Sequence, residues 1–376
     1  MDVPRLAQKG EFVEIMNFID LVFRPGQAGR LIMQRQYPHL FQNKAQYWQR
    51  ITTLRDGGEL VGCLGIHPVD LRFEEVQLRA GGIGQVATHP QRRGEGIMGT
   101  MLNDAIARMY KAGYSISILG GDRQRYGWFG WENGGVRQVY QVTPRSLGKA
   151  AAIERRLPLK RLDTSAATMG KLHQCTLHHP YWALRPKREI VPLFKRNGRE
   201  VWICQAGRRF AYVVLNNRTG LGVDEMGGDA DLAVSILRVL MGRRRWQNIS
   251  VVTGPNTDQI DLIRPFAAGW NRQCDGMIKI INLPLLLEQL TPLLKRRAKA
   301  AGIGGRYRFA MEESGQSGLL ELGKGKTNNI SLNARDMVSF FFGIDPLTEV
   351  FGQMNSVDKL SHLLPLPLFV PPLNHV

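Results

Sequence analysis

A chain of 376 residues exceeds one ordinary hydrophobic core, so two or three domains are expected. With 43% hydrophobic and 22% charged residues the composition is that of a globular protein and excludes a disordered one. The net charge of +18 admits a polyanionic partner, but its basic clusters (Arg155-Arg156, Lys187-Arg188, Arg243-Arg244-Arg245, Lys295-Arg296-Arg297) are short and dispersed. They read as solvated helix ends and loops, and in the absence of a recognition motif nucleic acid is not expected as a partner. No apolar run has the length of a membrane span, and Met1-Asp-Val-Pro-Arg5 lacks a signal-peptide core, so a cytoplasmic protein with no membrane partner is expected. Cys63, Cys175, Cys204 and Cys274 are scattered without a CxxC pair, which suits reduced thiols and implies no metal site.

In chain order, Glu11 to Phe23 carries apolar residues at helical spacing (Phe12, Ile15, Met16, Ile19, Val22, Phe23) and stops at Arg24-Pro25. Leu60 to Ile66, Val69 to Phe73 and Gln77 to Thr88 read as three successive strands with turns between them. A Gly- and Arg-rich turn follows, then an amphipathic helix to about Lys111 with Ile97, Met98, Met101, Leu102, Ala105, Ile106 and Met109 on one face. Gly113 stops that helix, and Tyr114 to Leu119 is a short strand. This β-turn-α-β unit predicts a parallel crossover with its glycine turn at the C-terminal, ligand-binding edge of the strand.

Sequence from Gly148 to Thr164 is basic, small and proline-containing, and marks a boundary. A second α/β pattern runs to about Cys274, with strands Val201 to Gln205, Phe210 to Leu215 and Ile249 to Thr253 around a helix from Asp229 to Met241. A third begins near Met277 with a helix from Leu283 to Leu294. It continues through strands at Tyr307 to Glu312 and Gly318 to Leu322 to a helix at Ala334 to Phe342 with Asn333 as N-cap. The last fourteen residues, Leu363 to Val376, contain no Lys, Arg, Asp or Glu and several prolines, and so are expected to dock on protein.

The segment Gln85-Val-Ala-Thr-His-Pro-Gln-Arg-Arg-Gly-Glu-Gly-Ile-Met98 is the most informative. Chain that enters a helix through glycines presents unpaired N–H groups in one direction, and with the positive end of the helix dipole they cradle phosphate oxygens. A dinucleotide-binding GxGxxG fits the glycines at 94, 96 and 99 by letter, but here they follow Pro90 and an Arg pair. Glu95, in the first turn, suits the dipole. His89 reads as a surface or packing residue, and His178-His179 have no third ligand at useful spacing.

The order Val-Ala-x-x-Pro-x-x-Arg-Gly-x-Gly-Ile resembles the acetyl-CoA motif of GNAT-family N-acetyltransferases. The resemblance implies that the turn amides of Arg93, Gly94, Glu95, Gly96, Ile97 and Met98 hold the pyrophosphate. It also implies that the strand Val86, Ala87, Thr88 pairs with the pantetheine arm. A second segment, Gly120-Gly-Asp-Arg-Gln-Arg-Tyr-Gly-Trp-Phe-Gly-Trp-Glu132, resembles the Tyr-Gly-x-Phe-Gly-[Tyr/Trp] stretch of the Eis-like (enhanced intracellular survival) acetyltransferases. That family's layout implies an α/β and α+β chain of two tandem GNAT-like domains, 1–147 and 148–275, and a sterol-carrier-protein-like domain, 276–376. It further implies a homo-oligomer, Gly121 and Asp122 at the acetyl-CoA, Tyr126 as general acid, and the carboxylate of Val376, threaded into the site, as general base. His375 is a competing base at neutral pH.

The reaction implied is direct attack of a primary amine, such as an aminoglycoside or a lysine side chain, on the thioester of acetyl-CoA, with no metal. The net charge of +18 sits awkwardly with a cationic acceptor. Two alternatives are a non-catalytic CoA- or polyanion-binding protein and an N-acyltransferase for longer chains.

Overall fold

The computed structural model describes residues 1–147, 157–177, 179–217, 222–255, 258–352 and 355–376. Arg155, Arg156 and His178 lie outside them, as does part of the expected boundary. The described chain divides into two compact units. One is Met1–Gly135 with Gly276–Leu368 and His375–Val376; the other is Val136–Asp275 with Phe369–Asn374.

In the first unit, β1 (Arg5–Leu6), β2 (Ile51–Asp56), β3 (Glu59–Phe73), β4 (Val76–Thr88) and β5 (Ile116–Leu119) lie side by side in that order. The strand Gly276–Ile280 and then β6 (Glu132–Gly134) complete the sheet beyond β5. Pairing is antiparallel throughout, except between β4 and β5, which run parallel as the crossover demands. Helix α1 (Phe12–Phe23) buries Phe12, Ile15, Met16 and Ile19, and α2 (Ile97–Lys111) buries Ile97, Met101, Leu102, Ala105 and Met109. The second helix comes very close to the sheet. A Cβ at Gly62 would stand 2.7 Å from Ile97 Cγ2, and one at Gly81 would stand 2.4 Å from Met109 Sδ.

Two strands were expected on either side of His67-Pro68, and the structure has one. β3 runs unbroken, with Pro68 opposite Gly81 of β4. Pairing with β2 ends at Gly65, so the missing N–H of Pro68 removes no bond to that neighbour. The Gly276–Leu368 segment adds the helix Leu283–Ala301 and a sheet ordered Ser317–Glu321, Arg306–Met311, Thr327–Leu332. The last of these strands went unpredicted. Asn333 caps the helix Ala334–Phe342 by accepting the amide of Asp336 at 2.8 Å, as expected.

The second unit is a sheet of seven strands against the helix Ala230–Arg244, whose N-cap Asp229 accepts the amide of Leu232 at 2.9 Å. Between helix and sheet the packing is apolar: Val213, Leu215, Val223, Ile236, Leu237, Leu240 and Val251 are buried together. Beside that core Arg185 and Glu225 form a fully buried ion pair at 2.6 Å. Its spare capacity is taken up by Tyr212, which donates to Glu225 at 2.7 Å, and by Asn374, which accepts from Arg185 at 2.9 Å. Complete hydrogen bonding of this kind is what makes a buried charge pair tolerable. The fold class is therefore mixed α/β and α+β, as expected.

Candidate active site

The β4–β5 pairing covers only Ala80, Gly81 and Gly82 opposite Ile116, Ser117 and Ile118. Beyond it β4 continues through Ile83 to Thr88 with no partner on that side among the described residues, so the two strands part and leave a slot with a free backbone edge. A bulge marks the same place. The β3–β4 register slips between Cys63 and Gly65, and Gln85 takes the left-handed conformation at φ 40°. Its side chain turns inward, where its amide nitrogen lies 2.9 Å and its amide oxygen 3.1 Å from buried His67 Nε2. Only glycine fits at position 65, because a Cβ there would stand 1.9 Å from Gln85 Nε2. Burial holds His67 neutral, with its pKa lowered to about 4.

The turn after β4 has the geometry of an anion cradle. Pro90–Arg92 is a short 3-10 turn, Arg93 is extended, and Gly94 and Gly96 take φ of 89° and 76° before α2 begins at Ile97. Among the described residues the amides of Arg93, Gly94, Glu95, Gly96, Ile97 and Met98 donate to nothing. Six consecutive free donors at the positive end of a fifteen-residue helix are suited to the oxygens of a pyrophosphate. Arg93, Gly94, Glu95 and Gly96 are exposed, while Ile97 is buried beneath the turn. The carboxylate of Glu95 is held by Arg92 Nε at 2.7 Å, and Arg92 also reaches Asp56 at 2.8 Å, so the turn is braced by its own ion pairs.

A cavity of about 280 Å³ opens at the slot. One wall is β4 itself, through Ile83, Gly84, Gln85 and Val86, with Leu119 and Gly120 from the end of β5. The opposite wall comes from α1 and the chain after it, through Phe23, Arg24, Met33, Tyr37, Leu40 and Phe41. Tyr126, Arg125 and Val376 complete it. Asp20, at the end of α1, is buried and accepts the amides of Ile32 at 2.7 Å and Met33 at 2.9 Å, which fixes the apolar wall in place.

Tyr126 sits at the end of the short helix Arg123–Tyr126, whose N-cap Asp122 accepts the amide of Gln124 at 2.8 Å. Its ring packs edge-on against fully buried Trp131, with centroids 6.4 Å apart. It also lies over Gly121, where a Cβ would approach it to 2.4 Å. Its hydroxyl makes no hydrogen bond among the described residues, and desolvation holds its pKa above the ordinary phenol value despite Arg125 nearby. The result is a protonated phenol that lines the cavity. Val376 lies against β4, with its side chain about 3 Å from where a Cβ on Gly82 would stand.

Most of the residues singled out from the sequence converge on this region. Val86 lines the cavity, and Thr88 is half-buried at the end of the splayed strand. Ala87 points the other way, into the core beneath α1, so only its backbone can serve a ligand. Gly121 and Asp122 act first on the protein, as the seat of Tyr126 and the cap of its helix. His89 accepts the amide of Gln91 at 3.3 Å and stacks on Phe18, a packing role. His179 stacks on Trp182 in the second unit, and no metal-holding group of side chains occurs among the described residues. The whole α1-side wall and the His67–Gln85 pair were missed. The signal for the former was a run from Leu21 to Arg55 with no Asp or Glu at all.

A splayed parallel strand pair followed by a glycine turn and a free helix N-terminus defines an acyl-CoA transferase fold. The family model for the acetyltransferase (GNAT) domain matches residues 3–134, so the chain carries a GNAT acetyltransferase domain and is an acyltransferase enzyme. The full chain shares the fold of a GCN5-related N-acetyltransferase from Kribbella flavida (TM-score 0.69, 14% identity), covering 99% of this chain and 98% of that one. A GCN5-related N-acetyltransferase from Anabaena variabilis is similar at TM-score 0.68 and 15% identity, with 98% of each chain covered. Eis1 from Mycobacterium abscessus is similar at TM-score 0.62 and 14% identity, over 98% of this chain and 97% of that one. No curated protein matches the chain.

Proposed function

We propose that the protein is an Eis-like N-acetyltransferase that moves acetyl from acetyl-CoA to a primary amine by direct attack. The amides of Arg93 to Met98 hold the pyrophosphate, and the free edge of β4 from Val86 to Thr88 pairs with the pantetheine arm. This delivers the thioester into the cavity. The amine nitrogen forms its bond to the carbonyl carbon, and an amine proton passes to the carboxylate of Val376. As the C–S bond breaks, the Tyr126 phenol gives its proton to sulfur, so CoA leaves as the thiol. Solvent then returns the proton from carboxylate to phenol. The carrying observation is that one cavity is lined by both Tyr126 and Val376 and opens at the strand slot next to the cradle. His375 does not line that cavity, which favours Val376 as base.

Thiol release from acetyl-CoA on a panel of primary amines tests the activity. Extending the chain by two glycines beyond Val376 tests the base. The extension moves the carboxylate by several ångströms while leaving His375 in place. Loss of at least 100-fold in kcat is expected, and an unchanged kcat would exclude the carboxylate.

A further inference from the structure

The composition of the acceptor side of the cavity argues against a polycation. Its apolar surface is Phe23, Met33, Tyr37, Leu40 and Phe41, and among the described residues no Asp or Glu side chain lines it. The chain that builds this wall, from Phe23 to Phe41, contains Arg24, Arg30 and Arg35 and no acidic residue. Asp20, at the end of α1 behind this wall, has both oxygens committed to the amides of Ile32 and Met33 and no exposed surface. A polyamine or aminoglycoside would meet uncompensated positive charge here. It would also meet a volume of about 280 Å³, just below the usual range for small-molecule sites, ~300–1,000 Å³.

Arg24 is what the wall offers instead. It is half-buried at the end of α1, and its guanidinium is held by neutral acceptors, the carbonyl of Phe23 at 2.6 Å and Gln36 Oε1 at 2.7 Å. It pairs with no carboxylate among the described residues, so its charge is positioned but not neutralised. A fixed guanidinium with spare N–H groups is a carboxylate receptor.

Resting on the transfer reading above, we propose that the acceptor is a small amino acid: a primary amine on a compact apolar or aromatic body, with a carboxylate that binds Arg24. The zwitterion suits the cavity's two poles, its carboxylate on Arg24 and its amine on the Val376 carboxylate.

Matched pairs separate body from charge: L-phenylalanine against phenethylamine, and 6-aminohexanoate against hexylamine, with spermidine as the polycation. Thiol release and calorimetric binding in the presence of CoA are measured for each. At least one carboxylate-bearing member is expected to exceed its twin, and spermidine, by tenfold or more in kcat/KM and in affinity. Arg24→Met should remove that advantage, and Arg24→Lys should restore part of it, with each variant's fold checked by its melting curve. Spermidine or the carboxylate-free twins winning in both pairs would overturn the proposal, as would an advantage that survives Arg24→Met. Selective binding without thiol release would uphold the ligand class and instead overturn acetyl transfer.

Discussion

The acid role proposed for Tyr126 rests on what surrounds it. The ring is buried against Trp131 while its hydroxyl has no partner among the described residues, and desolvation raises its pKa above the ordinary phenol value of about 10. The protonated form that the proposed reaction needs therefore persists through neutral and mildly alkaline pH. In the wild type kcat should not fall until pH passes that of a free phenol. Tyr126→Phe should lower kcat about 100-fold and abolish that alkaline limb while leaving CoA affinity intact. Steady-state kinetics across pH, with calorimetry for CoA, check both, and a variant with wild-type kcat would remove Tyr126 from the mechanism. His67 carries a second pH signature of opposite character. Its pKa is lowered to about 4 in the fold, against about 6.5 when unfolded. Between these values the unfolded chain binds a proton that the native one refuses. Stability is thus fully present above pH 6.5 and is lost as pH falls toward 4, by at most about 3 kcal/mol. Urea midpoints from pH 7 to 4 should fall in the wild type and fall less steeply in His67→Gln.

At the level of elements, the turn from Arg93 to Met98 is the best-defined feature, and its glycines can be tested cleanly. A Cβ at Gly94 or Gly96 meets nothing within 4 Å, so alanine there costs only the strain of a left-handed backbone, about 1–2 kcal/mol. Relief of that strain turns amides away from the cradle. Gly94→Ala and Gly96→Ala should each raise KM for acetyl-CoA tenfold or more with a small loss in melting temperature, and an unchanged KM would place the pyrophosphate elsewhere. This turn was legible in the sequence because everything that shapes it is local: the glycines, Pro90, and the apolar face opening at Ile97. Tyr126 was singled out in the sequence by the resemblance of its segment to the Eis-like stretch, with Gly127 and Gly130 beside it. The α1-side wall was not, since the chain from Arg24 to Phe41 has no period. Its shape depends on the buried carboxylate of Asp20 reaching across to Ile32 and Met33. Nor was the continuity of β3 through Pro68, which depends on how far β2 extends.

For the whole molecule, we propose that the charge of +18 serves capture of the donor. Acetyl-CoA is a polyanion, and a strongly positive protein draws it in over distances set by the Debye length, about 30 Å at 0.01 M salt and about 8 Å at 0.15 M. Within the site some of this charge is already bound internally, as Arg92 is by Glu95 and Asp56, while Arg93 on the same turn has no ion pair among the described residues. Raising ionic strength from 0.01 to 0.15 M should therefore lower kcat/KM for acetyl-CoA several-fold. At saturating donor kcat should hold, because charge at long range affects capture and not the chemical step. Arg93→Gln should reduce the slope of that dependence without changing kcat. A salt-independent kcat/KM would mean that the excess charge serves some other partner than the donor.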